Sequence, residues 1–343
     1  MQREIKLAGD LLNENGELVE AGYAKSLIKR YDRSKIKANS LRIKEWDYYL
    51  VYNEDYGVAL TIDDNSYMGL NSVTFLDFKN KTEVTKSPMK FMTKGKTNFP
   101  STSKVGNVES KSKNYSFQFL NDGKTRKLLV YLKNFKDGKD INVSLELTEE
   151  PEDSMVIVTP FKENKKAFYY NQKIVGFKTC GMVSIGDKKY NFEKSNTRAI
   201  LDWGRGVWTY KNTWFWGAGA GTIDGREFGF NFGYGFGDTS SATENMIFVD
   251  GIAQKLENVH FDIPMKNGKE DYLNKWRIVS DDGRVNLKFS PIIDRHANSD
   301  ILIISSNQHQ VFGLLDGTIR LENGEMLALK NYLAFFEKVV NKW

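Results

Sequence analysis

The sequence predicts an antiparallel all-β protein, and two observations carry that prediction. From Trp46 onward, short runs rich in Val, Ile, Tyr and Phe recur between Asn, Asp and Gly: WDYYLVY, VALTI, VTFLDF, YSFQFL, LLVYL, INVSLEL and MVIVTPF. Asn121-Asp122-Gly123, Asp137-Gly138, Asp224-Gly225, Asp281-Asp282-Gly283, Asp316-Gly317 and Asn323-Gly324 lie between strand-like runs, where they favour tight hairpins. So many short strands hide their edges by closing into a sandwich or a barrel. Two stretches have helical spacing instead. Ala24, Leu27, Ile28 and Tyr31 predict a short helix within residues 21 to 31. Leu329, Leu333, Phe336 and Val340 offer the same pattern near the C-terminus, but an internal repeat makes strand the expectation there.

Composition narrows the class. A chain of 343 residues with 40% hydrophobic and 27% charged residues can bury a large core, and its length suits about two domains. Apolar runs such as Ile301 to Ile304 fall far short of the roughly 18 residues of a membrane span. The opening MQREIKLAGDLLNENGE carries acids where a signal peptide needs an apolar core. A soluble, cytoplasmic protein is the expectation, and the lone Cys180 agrees with it because it forms no internal disulfide. The net charge of +5 is far from that of a dedicated nucleic-acid binder. The excess is local: Lys79 to Lys113 hold nine lysines and two acids, Glu83 and Glu109. This stretch reads as solvated surface rather than an anion-binding patch, and its few aromatics leave no stacking platform for single-stranded bases.

Several chemistries drop out on motif grounds. His260, His296 and His309 have no HxH or HExxH spacing and, with Cys180, form no zinc pattern, so no metal is expected. There is no GxSxG elbow. The GAGAG run alternates with period two inside a predicted strand, whereas a dinucleotide fingerprint needs a strand, a turn and then a helix. No cofactor is implied.

Thr213 to Ser240, TWFWGAGAGTIDGREFGFNFGYGFGDTS, holds the most information. A two-residue turn at Asp224-Gly225 sets Trp214 opposite Gly235, Trp216 opposite Gly233, Gly217 opposite Phe232, Gly219 opposite Phe230 and Gly221 opposite Phe228. Each ring then lies beside a residue without a side chain. One face carries Trp214, Trp216, Ala218, Ala220 and Asn231 among glycines and reads as room for a ligand. The other carries Phe215, Phe228, Phe230, Phe232 and Tyr234 and reads as a core or barrel-to-barrel wall.

A weak internal repeat divides the chain. FLNDGK (119 to 124) resembles VSDDGR (279 to 284), MVIV (155 to 158) resembles ILII (301 to 304), and GMVSIGDKKY from Gly181 resembles GTIRLENGEM from Gly317. Each third segment is followed by an apolar stretch, an acid and a tryptophan: AILDW ending at Trp203, and LAFFEKVVNKW ending at Trp343. Asp202 and Glu337 are therefore equivalent positions, and the units are residues 1–207 and 208–343.

Polar groups cluster around the hairpin. Upstream, LDWGRGVWTYKN places Asp202, Arg205 and Lys211 among Trp203, Trp208 and Tyr210; downstream, GDTSSATEN supplies Asp238, Glu244 and Asn245. Strand periodicity puts Trp203 and Arg205 on one face, Asp202 and Trp208 on the other, unless the glycines introduce a bulge. An acid beside aromatic surface loses hydration and becomes a proton donor near neutral pH; the rival reading is a structural Asp–Arg pair.

The blocks LDWGRGVWTYKNTWFWGAGAG (201 to 221) and FGFNFGYGFGDTSSATENMIFVDG (228 to 251) resemble the signature of a bacterial family, domain of unknown function 2804, over most of the chain. A more distant likeness is to the carotenoid hydratase-like tandem lipocalin-like group, whose first barrel ends in an Ala-Trp-x-Asp-x-Glu-Trp-Gly-type run. Ala199, Asp202, Trp203 and Gly204 stand in comparable order, without that run's first Trp and its Glu. The likeness implies two lipocalin-like antiparallel β-barrels and acid chemistry on apolar molecules. The expectation is a small, largely apolar ligand (a lipid or isoprenoid-like molecule) held by Trp208, Tyr210, Trp214, Trp216, Asn231, Asp238, Glu244 and Asn245. In a lyase or isomerase reading, Asp202 is the acid and Arg205 tunes it. The alternatives are a carrier or sensor without chemistry and a carbohydrate platform.

Overall fold

The computed structural model describes residues 2–301 and 304–342. Among these residues, strands assemble into two large antiparallel sheets, each curled into a lipocalin-like barrel. The first sheet runs, in spatial order, Thr82–Lys86, Met68–Asp77, Tyr56–Asp64, Ile43–Tyr52, Arg198–Val207, Asn164–Ile185, Lys139–Thr148, Arg126–Lys136, Tyr115–Asn121 and Val108–Ser112. Strands from distant places in that order meet inside it: Asn71 donates to the Tyr115 hydroxyl and Arg126 to that of Tyr49. The second sheet runs Ile252–Lys255, Met246–Val249, Arg226–Tyr234, Lys211–Ile223, Met326–Lys342, Ile304–Arg320, Val285–Ile301, Trp276–Ser280 and Val259–Asp262. It curls until the Phe261 amide donates to the Tyr234 hydroxyl at 3.3 Å. The first sheet's last strand ends at Val207 and the second's first begins at Lys211. The chain start bridges the barrels: Gln2 donates to the Leu256 carbonyl and accepts from the Thr243 amide in the second, while the Ile5 amide donates to the carbonyl of Tyr23, which pairs with Ile157 of the first.

The spacing at 21 to 31 builds no helix. Gly22–Ala24 is a strand added to Val156–Val158, and the nearby helical turns are two short 3-10 segments, Arg33–Lys35 and Ser40–Arg42, capped by Asp32 and Asn39. Ala24 and Tyr31 are both buried, but from separate extended segments, so the neighbouring strand decided what local spacing left ambiguous. The C-terminal segment is a strand, Met326–Lys342, as the repeat requires.

One detail of the repeat is reproduced atom for atom. Gly181 and Gly317 each have φ +136°, and a Cβ there would overlap the carbonyl oxygen of Ser144 in the first barrel and of Asn286 in the second. Only glycine lets these two strands cross so closely. The ILII run includes residues 302 and 303, and Trp343 closes the second motif; these three lie outside the described residues.

Candidate functional site between the barrels

The hairpin forms in the register that its turn dictates. Asp224 and Gly225 have φ of +50° and +79°, as a type I′ turn requires, and Trp216 pairs with Gly233, Gly217 with Phe232, Gly219 with Phe230 and Gly221 with Phe228. The ladder stops at Phe215 opposite Tyr234, one place short of Trp214 and Gly235. Phe228, Phe230 and Phe232 fill the second barrel's core with Phe336 and Trp276. The other face, expected to leave room for a ligand, is instead the contact between the barrels. Gly229 sits against Val175, and the Tyr52 hydroxyl bonds both the amide and the carbonyl of Ala220, at 2.6 and 3.0 Å. Arg198 adds a bidentate pair to Glu227 at 2.7 and 2.8 Å.

Within this contact each barrel presents a row of three side chains across neighbouring strands. In the first barrel the row is Lys173, Asp202 and Tyr48; in the second it is Gln310, Glu337 and Trp216. The rows run in opposite senses, so the end of one meets the far end of the other. Lys173 Nζ lies 3.9 Å from the Trp216 ring centroid, and the Gln310 amide donates to the Tyr48 hydroxyl at 3.3 Å. The acids at the two centres are the residues that the repeat makes equivalent.

Their surroundings differ. Asp202 pairs with Lys173 at 2.8 Å and accepts from Asn171 Nδ2 at 2.6 Å. Glu337, 3% exposed, accepts from the Trp214 indole at 2.9 Å and from Gln310 Nε2 at 3.0 Å. Burial pushes the Glu337 carboxyl up to about 7; the Asp202 charge reinforces this, while the Trp214 donor, Lys173 and Arg295 pull the other way. A third acid, Glu244, comes from the loop before Met246–Val249, and burial raises it too, with Asp202 adding and Lys173 opposing. Three carboxyl groups thus share the field of one lysine. Burial raises two of the three carboxyls, Glu337 and Glu244, against the pull of Lys173.

The other expected site residues divide. Trp208, Trp214 and Phe236 form a cluster of rings, with centroids 5.7 Å apart for the two indoles, and Trp208 also meets Trp46. Tyr210, partly exposed, lies under Arg42. Trp208 and Tyr210 line an open groove of about 460 Å³ together with Lys37, Asn39, Arg42 and Lys166. Asn231 accepts from Trp216 at 2.7 Å and donates to the Glu244 carbonyl, so it fixes the indole.

Three residues fall elsewhere. Arg205 does not tune Asp202. The register between Arg198–Val207 and Ile43–Tyr52 is unbroken, so parity sends Arg205 into the first barrel, where it pairs with Asp47 at 3.0 Å. Asn245 spends both ends of its amide on backbone, at Gly233 and Glu257. Asp238 caps Ser240 and faces Lys162 at 3.7 Å on the rim.

Lys173, Tyr48, Gln310 and Arg295 were not singled out from the sequence, and Glu337 was seen only as the partner of Asp202 in the repeat. The available signal was a polar triplet, Asn171-Gln172-Lys173, inside the otherwise apolar run AFYYNQKIVGF.

Comparison with known proteins agrees with this architecture. The family model for a domain of unknown function (DUF2804) matches residues 2–343, and the chain belongs to that family. No curated protein matches the chain. Among solved structures it is similar to a Nitrosomonas europaea protein provisionally described as an AttH, with a TM-score of 0.54 and 13% identity over 90% of this chain and 97% of that one. It is also similar to kievitone hydratase from Nectria haematococca, at 0.49 and 12% over 91% and 92%. A third is CghA with Sch210972, at 0.49 and 11% over 97% of each chain. The likeness to the Nitrosomonas protein is one of fold.

Proposed function

We propose that this member of the DUF2804 family binds a small, largely apolar molecule where its barrels meet, and that Glu337 gives a proton to a carbon–carbon double bond of that molecule. The observation that carries the reading is a carboxyl buried beside two indoles and held near pH 7, so that at neutrality much of it keeps its proton. The donor role first expected at Asp202 thus moves to its repeat equivalent. The proton of Glu337 forms the new C–H bond, and the neighbouring carbon becomes cationic beside the Trp214 ring. Water then adds to that carbon, and the proton it releases returns to the Glu337 carboxylate, which restores the acid for the next turnover. Loss of a proton from the cation in place of water addition gives an isomerase by the same parts. The groove at Trp208 and Tyr210 serves as the entrance, because Trp208 touches Trp214 and Trp214 touches Glu337.

Incubation of isoprenoid alkenes in D2O with the wild-type protein tests this by mass spectrometry. The expected result is deuterium incorporation, lost in Glu337→Gln while the variant still shifts its melting temperature on adding the alkene. Equal incorporation by wild type and variant removes Glu337 as the donor. Binding without incorporation in either makes the protein a carrier.

A further inference from the structure

The lysine-rich stretch plays no part in that site, yet its geometry is specific. Met89–Phe91 is a short strand paired with the start of Met68–Asp77, with Phe91 opposite Met68, Lys90 opposite Gly69 and Met89 opposite Leu70. Alternation places Met68, Leu70, Met89 and Phe91 on one face of this ribbon and Lys90 on the other. Lys90 reaches back toward the barrel, with Nζ 5.8 Å from the Tyr115 ring centroid, and a Cβ at Gly69 would press on Thr93 at 2.8 Å. The apolar face therefore points outward. Phe91 is 79% exposed, Met89 52% and the adjoining Met92 47%.

The ribbon's tip is held, not loose. Met92 has φ +54°, a left-handed conformation uncommon for a long side chain, and its amide donates to the Tyr67 carbonyl at 2.8 Å. The Lys94 amide donates to the Ser66 carbonyl, and the Thr93 hydroxyl to Asp64 at 2.7 Å. On either side of Met89–Phe91 in the chain come Lys86, Lys94 and Lys96, all exposed and in no ion pair among the described residues. No acid occurs between Glu83 and Glu109.

We propose that this ribbon docks the protein on a bilayer surface that carries anionic lipids. Phe91, Met89 and Met92 would enter the interface between headgroups and acyl chains, and the lysines would meet the lipid charge. Contiguous apolar side chains flanked along the chain by one sign of charge suit neither bulk water nor an acidic peptide, which would leave Phe91 and the two methionines uncovered.

Sedimentation with vesicles tests the proposal on the full chain. The wild type is expected to pellet with phosphatidylcholine–phosphatidylglycerol vesicles and to be released as salt rises. Phe91→Ser and the double change Lys94→Glu, Lys96→Glu are each expected to weaken binding by about tenfold or more. All these side chains are exposed, so unchanged melting curves are expected to accompany the loss. No binding to these vesicles, or equal binding by the Phe91→Ser variant, overturns the proposal. So does a wild-type dimer in solution that Phe91→Ser converts to monomer, since the face would then belong to a second copy.

Discussion

Arg205 and Lys173 are both buried cations on adjacent strands of the first barrel, but their surroundings are opposite in kind. The Arg205 guanidinium donates to Asp47 and to the carbonyls of Trp46, Gly204 and Pro100, and it lies between the rings of Trp203 and Phe99. Asp47 is the one acid it bonds directly, three backbone carbonyls take other N–H groups, its Nε has no partner among the described residues, and its charge also acts on the buried Glu45. Burial pushes the Asp47 carboxyl up, and Arg205 offsets the effect. Lys173 faces Asp202 directly and acts on Glu337 and Glu244 as well, with Arg295 also acting on Glu337 and Lys255 on Glu244, yet burial still raises both glutamates. A buried cation bonded directly to an acid and to backbone carbonyls holds a fold together, whereas buried carboxyls that feel one another and bond no cation directly bind a proton more readily.

The largest expected effect breaks the first half of that comparison. Arg205→Met leaves Asp47 buried without its cation and is expected to lose about 3–5 kcal/mol of stability in urea unfolding. A loss well below about 1 kcal/mol would mean that the pair is not structural.

Next in size is a pH effect at Glu337. Burial pushes its folded carboxyl from the ordinary 4.5 up to about 7, so the folded state binds the proton more tightly than the unfolded chain. The resulting stability is complete below pH 4.5 and is lost as pH rises through about 7. Relative to Glu337→Gln, the wild type should lose about 3 kcal/mol across that window and run parallel above it. Stability curves that stay parallel throughout would show that the carboxyl is not desolvated.

The smallest effect sharpens the second half. Trp214→Phe removes a donor to the Glu337 carboxylate, worth about 1.5 kcal/mol, and should raise its titration midpoint by about one pH unit in carboxyl NMR. An unmoved or lowered midpoint would contradict the assignment of that bond.

Much of this site was legible in the linear pattern because it depends on parity. Strand alternation separates Asp202 from Arg205, and the paired glycines and rings set the hairpin register from its turn. The repeat linked Asp202 to Glu337, which the structure places at the centres of two opposed rows. What could not be read was which face of the hairpin meets which barrel. Both faces are buried, and alternation states only that they differ.

The amino-acid pattern alone determined the strand class, the turn at Asp224-Gly225, the pairing of rings with glycines and the doubling of the chain, because these follow from backbone sterics and from a period of two. Tertiary structure alone decided that residues 22–24 become a strand, that Lys173 reaches across to Trp216, and that burial pushes the Glu337 carboxyl up. The physical reason is that added strands, desolvation and cross-barrel contacts depend on neighbours far apart along the chain, and local spacing holds no record of them.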